Sequence, residues 1–328
     1  MELNTVHHLD NRIGIPQLPE KCANLIIADP PYFEVKGDFD FVWKSFDEYL
    51  EFMEGQAKLY KRILADNGTL FVWGHAKRIA YVQVIFDRYF NLENSIVWEK
   101  KDCQTRMYIQ NFRSFAPVTE RLLMYTHDTI NLTGCVCNVR DYIREEIIKA
   151  KGKISFSEIN AALGTATNGG GVASACLSLD KMEPAMISEP IYKSLQVWLG
   201  SQYLQKSYLE LNSEYRVLRD NYEKTRRPFE NLLMLTDVLK FEQETLNTRK
   251  FDHDTKKPEA VTRALILTCS RPNDLIVVPF AGSGTECAMA AKEGRRFVGF
   301  ETTLKHVLMS NKRAAIEMSK PDLFRHAI

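Results

Sequence analysis

The chain has 328 residues, with 43 Lys and Arg against 42 Asp and Glu, a formal net charge of +1 and 45% hydrophobic residues. That length suggests two domains, or one large domain carrying an insertion, and the apolar content is ample for a packed core, which excludes disorder as the dominant state. No apolar run approaches the ~20 residues of a membrane span, the opening Met1-Glu2-Leu3-Asn4 lacks the character of a secretory signal, and seven cysteines without CxxC spacing argue against a disulfide framework or a zinc ribbon. The chain is therefore expected to be reduced and cytoplasmic. Its near-neutral charge leaves nucleic acid open, because phosphate contacts need local clusters of Lys and Arg and not a high global pI.

The first third alternates strands with helices. Asn24-Leu25-Ile26-Ile27-Ala28 is a short apolar run ending in Asp29-Pro30-Pro31-Tyr32, where regular structure must stop because neither proline can donate to a ladder. Phe46 to Leu64 carries apolar residues at helical spacing, Asp66-Asn67-Gly68 follows as a stop, and Thr69 to Trp73 reads as a buried strand. A helix over Lys77 to Tyr89 and strands at Ser95 to Trp98 and Arg121 to Tyr125 complete this part. From about 130 to 250 apolar strand runs vanish. Asp141 to Ala150 reads as a helix, and Ser155 to Leu163 as a short one opening with a Ser/Glu158 capping box. The turn Asn168-Gly169-Gly170-Gly171 and a further helix from Val172 make a helix-turn-helix candidate. Leu204, Tyr208, Leu211, Tyr215, Leu218 and Tyr222 then form an a/d stripe on a long helix ending near Arg226-Arg227-Pro228, read as packing on its own domain in preference to an intermolecular coiled coil. The last part returns to α/β: a helix over Glu259 to Cys269, a strand over Leu275 to Val278, the loop Pro279 to Thr285, a helix through Lys292 and a strand from Arg296 that finishes at Glu301. Strands alternating with helices predict a doubly wound, mostly parallel α/β sheet interrupted by a largely helical insertion.

Two strand ends carry chemistry. Glycines in the loop after Leu275–Val278 let a backbone approach a ligand closely, and Glu301, ending the next strand, suits the hydroxyls of a ribose. No Lys follows the second glycine, as a P-loop would require. At the other strand end, the Asp29 carboxylate and the Pro30 carbonyl are two acceptors held beside a rigid diproline, a match for the two donors of an NH₂ group. Tyr32 adds a face on which a planar base can stack.

Asp29-Pro30-Pro31-Tyr32 together with Pro279-Phe280-Ala281-Gly282-Ser283-Gly284-Thr285 resembles the S-adenosylmethionine-dependent amino-methyltransferases of DNA, and the order, catalytic motif first and cofactor motif last, resembles their β class. Further segments carry the resemblance: His253 through Lys257-Pro258 is similar to the family's "H…KP" segment. Trp98-Glu99-Lys100, Asn111-Phe112-Arg113 and Glu120-Arg121-Leu122-Leu123 resemble its later catalytic-half motifs, and Asn4 to Asp10 the segment whose acid approaches the cofactor adenine. The chain departs from the family pattern at Val278, where an acid is usual, at Glu286, where a Thr is common, and over Thr302-Thr303-Leu304-Lys305-His306. The tetrad is intact.

The resemblance implies a circularly permuted class I methyltransferase fold with a catalytic half over 1–129, a target-recognition insertion over 130–248 and a cofactor-binding half over 249–328. It implies S-adenosyl-L-methionine held by Asp10, His253, Lys257, Pro258, the 279–285 loop and Glu301, a base flipped out of double-stranded DNA onto Asp29, Pro30, Pro31 and Tyr32, and direct transfer with no metal. An Asp-headed tetrad implies adenine N6 over cytosine N4. Lys100, Lys101, Arg106, Arg113, Lys153, Arg226 and Arg227 are expected phosphate contacts, and Thr165, Thr167 and Asn168 expected base readers. A homodimer and a cognate restriction enzyme are partners the family suggests. The alternatives are a cytosine-N4 enzyme on the same scaffold and a helix-turn-helix regulator with a vestigial methyltransferase fold.

Overall fold

A computed structural model describes residues 1–35, 42–101, 113, 115–127, 138–166, 171–180, 185–242 and 257–320. The chain divides into two compact units, one made of Met1–Thr129 with Arg227–Ile328 and the other of Ile130–Arg226.

The first unit is an α/β sandwich. In chain order its elements are β1 (Thr5–His8), α1 (Asn11–Gly14), β2 (Ala23–Ala28), α2 (Phe46–Ile63), β3 (Leu64–Gly74), α3 (Ile79–Phe86), β4 (Asn91–Lys101) and β5 (Thr119–Thr126). The second unit supplies α4 (Asn138–Lys151), α5 (Phe156–Ala162), α6 (Val172–Leu177), α7 (Glu189–Leu199) and α8 (Tyr208–Thr225). The chain then returns to the sheet with β6 (Val238–Glu242), α9 (Glu259–Cys269), β7 (Leu275–Val278), α10 (Thr285–Lys292), β8 (Arg296–Glu301) and α11 (Leu304–Ser319).

The strands form one sheet in the order β1-β8-β7-β2-β3-β5-β4-β6. Pairing is parallel except that β5 runs antiparallel to both β3 and β4. The period of two in each strand sorts side chains between two cores. Leu25 and Ile27 of β2, with Ile276 and Val278 of β7, face the core completed by α9, α10 and α11. Ile26 and Ala28, with Leu275 and Val277, face the core completed by α2 and α3. Burial on both faces is why these strands read as unbroken apolar runs. The α2 stripe of Tyr49, Met53, Ala57 and Tyr60 is buried as its spacing predicts, and the helix starts where Ser45 Oγ accepts the Glu48 amide at 3.2 Å.

The second unit packs Val139, Ile143 and Ile147 of α4 against Ile159, Leu177, Tyr192, Leu195 and Leu211. Leu204, Tyr208, Leu211 and Tyr215 of the expected stripe pack into this core, so the stripe serves its own unit. Helices α5 and α6 occupy the two helical positions of the helix-turn-helix candidate. At α5 only half of the expected capping box forms: Ser155 Oγ accepts the Glu158 amide, while the Glu158 carboxylate lies 3.5 Å from Lys153 Nζ. The reciprocal box forms instead at Ser207 and Glu210, starting α8.

The expected insertion boundary at 248 moves to Arg226. The cause is β6, a strand not legible in the sequence, which pairs with β4 from Val97↔Val238 to Lys101↔Glu242 and carries 238–242 into the sheet. A short edge strand with one fully buried side chain, Leu239, lacks the apolar run of a central strand. No described helix is long and apolar enough to cross a membrane, and the described cysteines, Cys22, Cys176, Cys269 and Cys287, are free thiols.

Candidate active site

Strands β2 and β7 lie side by side and parallel, with Leu25 opposite Ile276 and Ile26 opposite Val277. From there the chain diverges, β2 leading through α2 to β3 on one side and β7 through α10 to β8 on the other. This is the switch point of a doubly wound sheet, where a crevice opens beyond the carboxyl ends of the strands. The two sequence motifs leave from those two ends, so the tetrad and the glycine loop are brought together by strand order.

At the end of β2 the Tyr32 hydroxyl donates to Asp29 Oδ1 at 2.8 Å, and Lys257 Nζ donates to Asp29 Oδ2 at 2.7 Å and to Tyr32 Oη at 3.3 Å. The same ammonium sits 3.2 Å from Glu120 Oε2, and Lys100 Nζ holds the other Glu120 oxygen at 2.5 Å. Lys257 is buried at 6% exposure, between the rings of Tyr32 and Trp73, whose centroids lie 5.5 and 5.1 Å away. Burial pushes its pKa down, but Asp29 and Glu120 outweigh this and raise it, so the ammonium stays charged. Burial likewise raises the Glu120 pKa, and the charges of Lys257 and Lys100 overcome it to bring the carboxyl down to about 2. The family resemblance puts Lys257 at the cofactor; in this structure its ammonium is bonded to Asp29.

The loop after β7 is clamped from behind. Gly284 has φ +73° and Gly282 φ +48°, left-handed values that glycine adopts without strain. Ser310 Oγ of α11 donates to the Gly282 carbonyl at 2.9 Å. Buried Arg313 donates to the Ser283 carbonyl at 2.5 Å and to Glu259 Oε1 at 2.9 Å. Ala281 N–H donates to the Phe300 carbonyl at 2.8 Å, tying the loop to β8. Glu301 accepts Gly282 N–H at 3.0 Å and Thr303 N–H at 2.7 Å, which fixes its carboxylate at the mouth of the loop. On the β1 side Asn11 Nδ2 donates to the Pro279 carbonyl at 3.2 Å. Asp10 beside it caps α1 through Arg12 N–H at 2.8 Å and takes the Arg12 guanidinium at 2.7 Å, a hydrogen-bonded pair that holds its carboxyl below the usual range. Pro258 is the N-cap of α9, and Phe280 faces the Phe52 ring at 6.2 Å.

A family model for DNA methylases matches residues 23–312, which span both motifs and the insertion between them. The chain belongs to the DNA methylase family. It is an S-adenosylmethionine-dependent DNA methyltransferase of the class I fold. Its relatives include the DNA adenine methyltransferase YhdJ of Escherichia coli K12, 22% identical over 316 residues, 95% of this chain and 83% of that protein. The type II methyltransferase M.HinfI of Haemophilus influenzae is 24% identical over 330 residues, 95% of this chain and 68% of that one. Among solved structures, a Thermus thermophilus protein complexed with S-adenosyl-L-methionine matches at TM-score 0.51 and 15% identity, over 97% of both chains. The cytosine-N4-specific PvuII DNA methyltransferase matches at TM-score 0.53 and 12% identity, over 98% of this chain and 90% of that one. At these identities the solved structures share the fold and are silent on the target base.

The residues of this methyltransferase fit its cofactor: Gly282 and Gly284 make a loop whose backbone a ligand can approach closely, and the partly buried Glu301 carboxylate stands beside it. Glu286, on the first turn of α10, is a buried carboxyl. Burial raises the Glu286 pKa from 4.5 to about 7, and the negative charge of Asp29 adds to it. A carboxyl with a folded-state pKa above its unfolded one favours folding while protonated. Its contribution is full below about pH 4.5 and is lost as pH rises to about 7, by at most about 3 kcal/mol. Glu286→Gln should therefore gain melting temperature over the natural chain at pH 8 and show little difference at pH 4.5; a gap that does not change with pH would remove this assignment. Val278 is fully buried in the core beside α10, where an apolar side chain packs without a partner.

The expected DNA contacts fare unevenly. Lys100 is corrected: its ammonium turns inward to Glu120 and its side chain is 18% exposed, so it serves the buried cluster. Arg226 is spent on Glu223 at 2.6 Å, and the Arg227 guanidinium lies over the Phe229 ring at 5.4 Å. The Thr165 hydroxyl closes the end of α5 by donating to Asn160 Oδ1 at 3.0 Å. Arg113 is exposed, and Lys153 is exposed with Glu158 as its neighbour. Arg106, Thr167, Asn168, His253 and the Lys101 side chain lie outside the described residues. Sequence reasoning does not assign Glu120, Glu286 or Arg313 to the site; Glu120 has a signal as the head of the Glu120-Arg121-Leu122-Leu123 segment and Glu286 as a departure from the family pattern, while Arg313 has none.

Proposed function

We propose that this methyltransferase acts at N6 of adenine in a specific DNA sequence, and that Asp29, Pro30, Pro31 and Tyr32 carry the transfer. The observation that supports this reading is the emergence of the Asp29-headed tetrad beside the glycine loop, from adjacent parallel strands. The amino nitrogen of a stacked base is out of reach, so the target nucleotide must be extruded, with Tyr32 as its stacking face. Asp29 and the Pro30 carbonyl then accept the two amino hydrogens and turn the nitrogen lone pair along the line of transfer. The cofactor supplies an electrophilic methyl on a sulfonium. The fixed carboxylate and carbonyl replace water around the nitrogen as positive charge develops there; the sulfonium would leave as a neutral thioether, and one amino hydrogen would be lost as a proton to Asp29 or to solvent. In this reading Glu301 would hold the ribose hydroxyls of the cofactor, and Phe280 and Asp10 would contribute to holding its adenine.

The helical unit formed by 130–226 is assigned target recognition, with α5 and α6 as its reading elements and Arg113 and Lys153 as phosphate contacts. A homodimer and a restriction partner rest on the family resemblance alone.

Methyl transfer from labelled S-adenosylmethionine to unmethylated genomic DNA, followed by nucleoside analysis, tests the reading. N6-methyladenine confined to one sequence context is expected; N4-methylcytosine would move the assignment to the alternative base. Phe280→Ala and Glu301→Ala should each weaken cofactor binding about 10-fold or more, as the loss of a stacking face or of charge-assisted hydrogen bonds predicts. Unchanged cofactor affinity by calorimetry would break that assignment.

A further inference from the structure

Both oxygens of Asp29 are occupied in this structure, Oδ1 by the Tyr32 hydroxyl and Oδ2 by Lys257. A carboxylate has about four acceptor sites, so Asp29 can also take the amino group of a target base, but that donor then competes with the Lys257 ammonium for the same carboxylate. Lys257 cannot simply leave: its ammonium is 6% exposed, and a buried charge stripped of its counter-charge is costly. A second carboxylate stands ready. Glu120 Oε2 is 3.2 Å from the same Nζ, and Glu120 is itself anchored from its far side by Lys100 at 2.5 Å. The four groups make a line of alternating charge, Lys100, Glu120, Lys257 and Asp29, drawn from β4, β5, the segment before α9 and the end of β2.

We propose that Glu120 is a positioning residue for methyl transfer: it receives the Lys257 ammonium when Asp29 is handed to the target amino group, so that the catalytic acid is released without stranding a buried charge. The asymmetry of the two distances fits this role. Lys257 sits closer to Asp29 in this structure, and a shift of its flexible stem toward Glu120 exchanges one ion pair for the other. Glu120 touches neither base nor cofactor in this scheme and acts only through Lys257.

The inference rests on the catalytic reading of Asp29, and the experiment separates the two. Initial rates on unmethylated genomic DNA at saturating cofactor, and S-adenosylmethionine affinity and stoichiometry by calorimetry, are measured for the natural chain, Glu120→Gln and Asp29→Ala, with rates normalised to cofactor-binding sites. Glu120→Gln is expected to lower kcat about 10-fold or more, with the cofactor Kd held within about 3-fold. A kcat within 2-fold of the natural chain, or a cofactor affinity that falls in proportion to kcat, would overturn the proposal. Should Glu120→Gln fail to fold, Glu120→Asp, which keeps the charge but withdraws it by one methylene, is read in its place: a several-fold loss in kcat at unchanged Kd supports the role, and an unchanged kcat refutes it. If Asp29→Ala methylates at the natural rate, the catalytic reading fails and this inference with it. If Asp29→Ala is inactive and Glu120→Gln is not impaired, only the inference fails.

Discussion

Asp29→Ala should lower methyl transfer by about 10³-fold or more while S-adenosylmethionine still binds within a few-fold of the natural affinity. The size follows from the role proposed for the carboxylate, positioning the nitrogen lone pair and stabilising the charge that develops on it, effects worth about 10²–10⁴-fold each when a single group is removed. Cofactor binding should survive because the loop from Pro279 to Thr285 is held by Ser310, Arg313 and Glu301, none of which bonds to Asp29. Removing Asp29 leaves Lys257 paired with Glu120, so the fold keeps a counter-charge for its buried ammonium. Labelled methyl incorporation beside calorimetric cofactor binding checks both halves. A variant that methylates DNA at a near-natural rate would sink the role of Asp29. A DNA-binding regulator with a vestigial fold would keep its cellular role with Ala at this position.

Gly284→Ala should cost the protein both stability and cofactor binding. The residue sits at φ +73°, where an L side chain is strained by about 1–2 kcal/mol, and its new Cβ would lie 2.5 Å from Ser310 Cβ and 2.7 Å from Ser310 Cα. Overpacking of that kind adds about 1–3 kcal/mol. For a unit of this size each kcal/mol lowers Tm by about 2–4 °C, so a fall of about 5–15 °C is expected. Because the loop must move off α11 to relieve the clash, the Ser310 bond to the Gly282 carbonyl breaks and the cradle opens. Ser310→Gly in the same chain should restore only part of the loss, since the clash with the backbone at 310 and the left-handed conformation at 284 remain. Full restoration of Tm and cofactor affinity would show that the side-chain clash alone was responsible.

Local signals carry much of this protein. The helix over Glu259–Cys269 and the strand over Leu275–Val278 stand at the boundaries their patterns predict, because each combines an apolar period with a clear stop. Both motifs are legible as chemistry, since a diproline after an apolar run and a glycine loop between strand and helix constrain the backbone without help from the rest of the chain. Edge strand β6 is not, because its five residues have no core face of their own until β4 lies beside them.

The composition of the site, by contrast, is decided by tertiary structure. Lys257 meets Asp29 across 228 residues of chain, and Glu120 reaches Lys257 from a strand that runs against its neighbours. Lys100, a surface cation by its neighbourhood in the sequence, is drawn inward by Glu120 from the adjoining strand. The proposed base-holding acid and the glycine loop are visible in the sequence alone, because each is built from consecutive residues. Which charges surround that acid depends on strand order and register, and those follow from how whole faces of β2, β4, β5 and β7 bury against their helices.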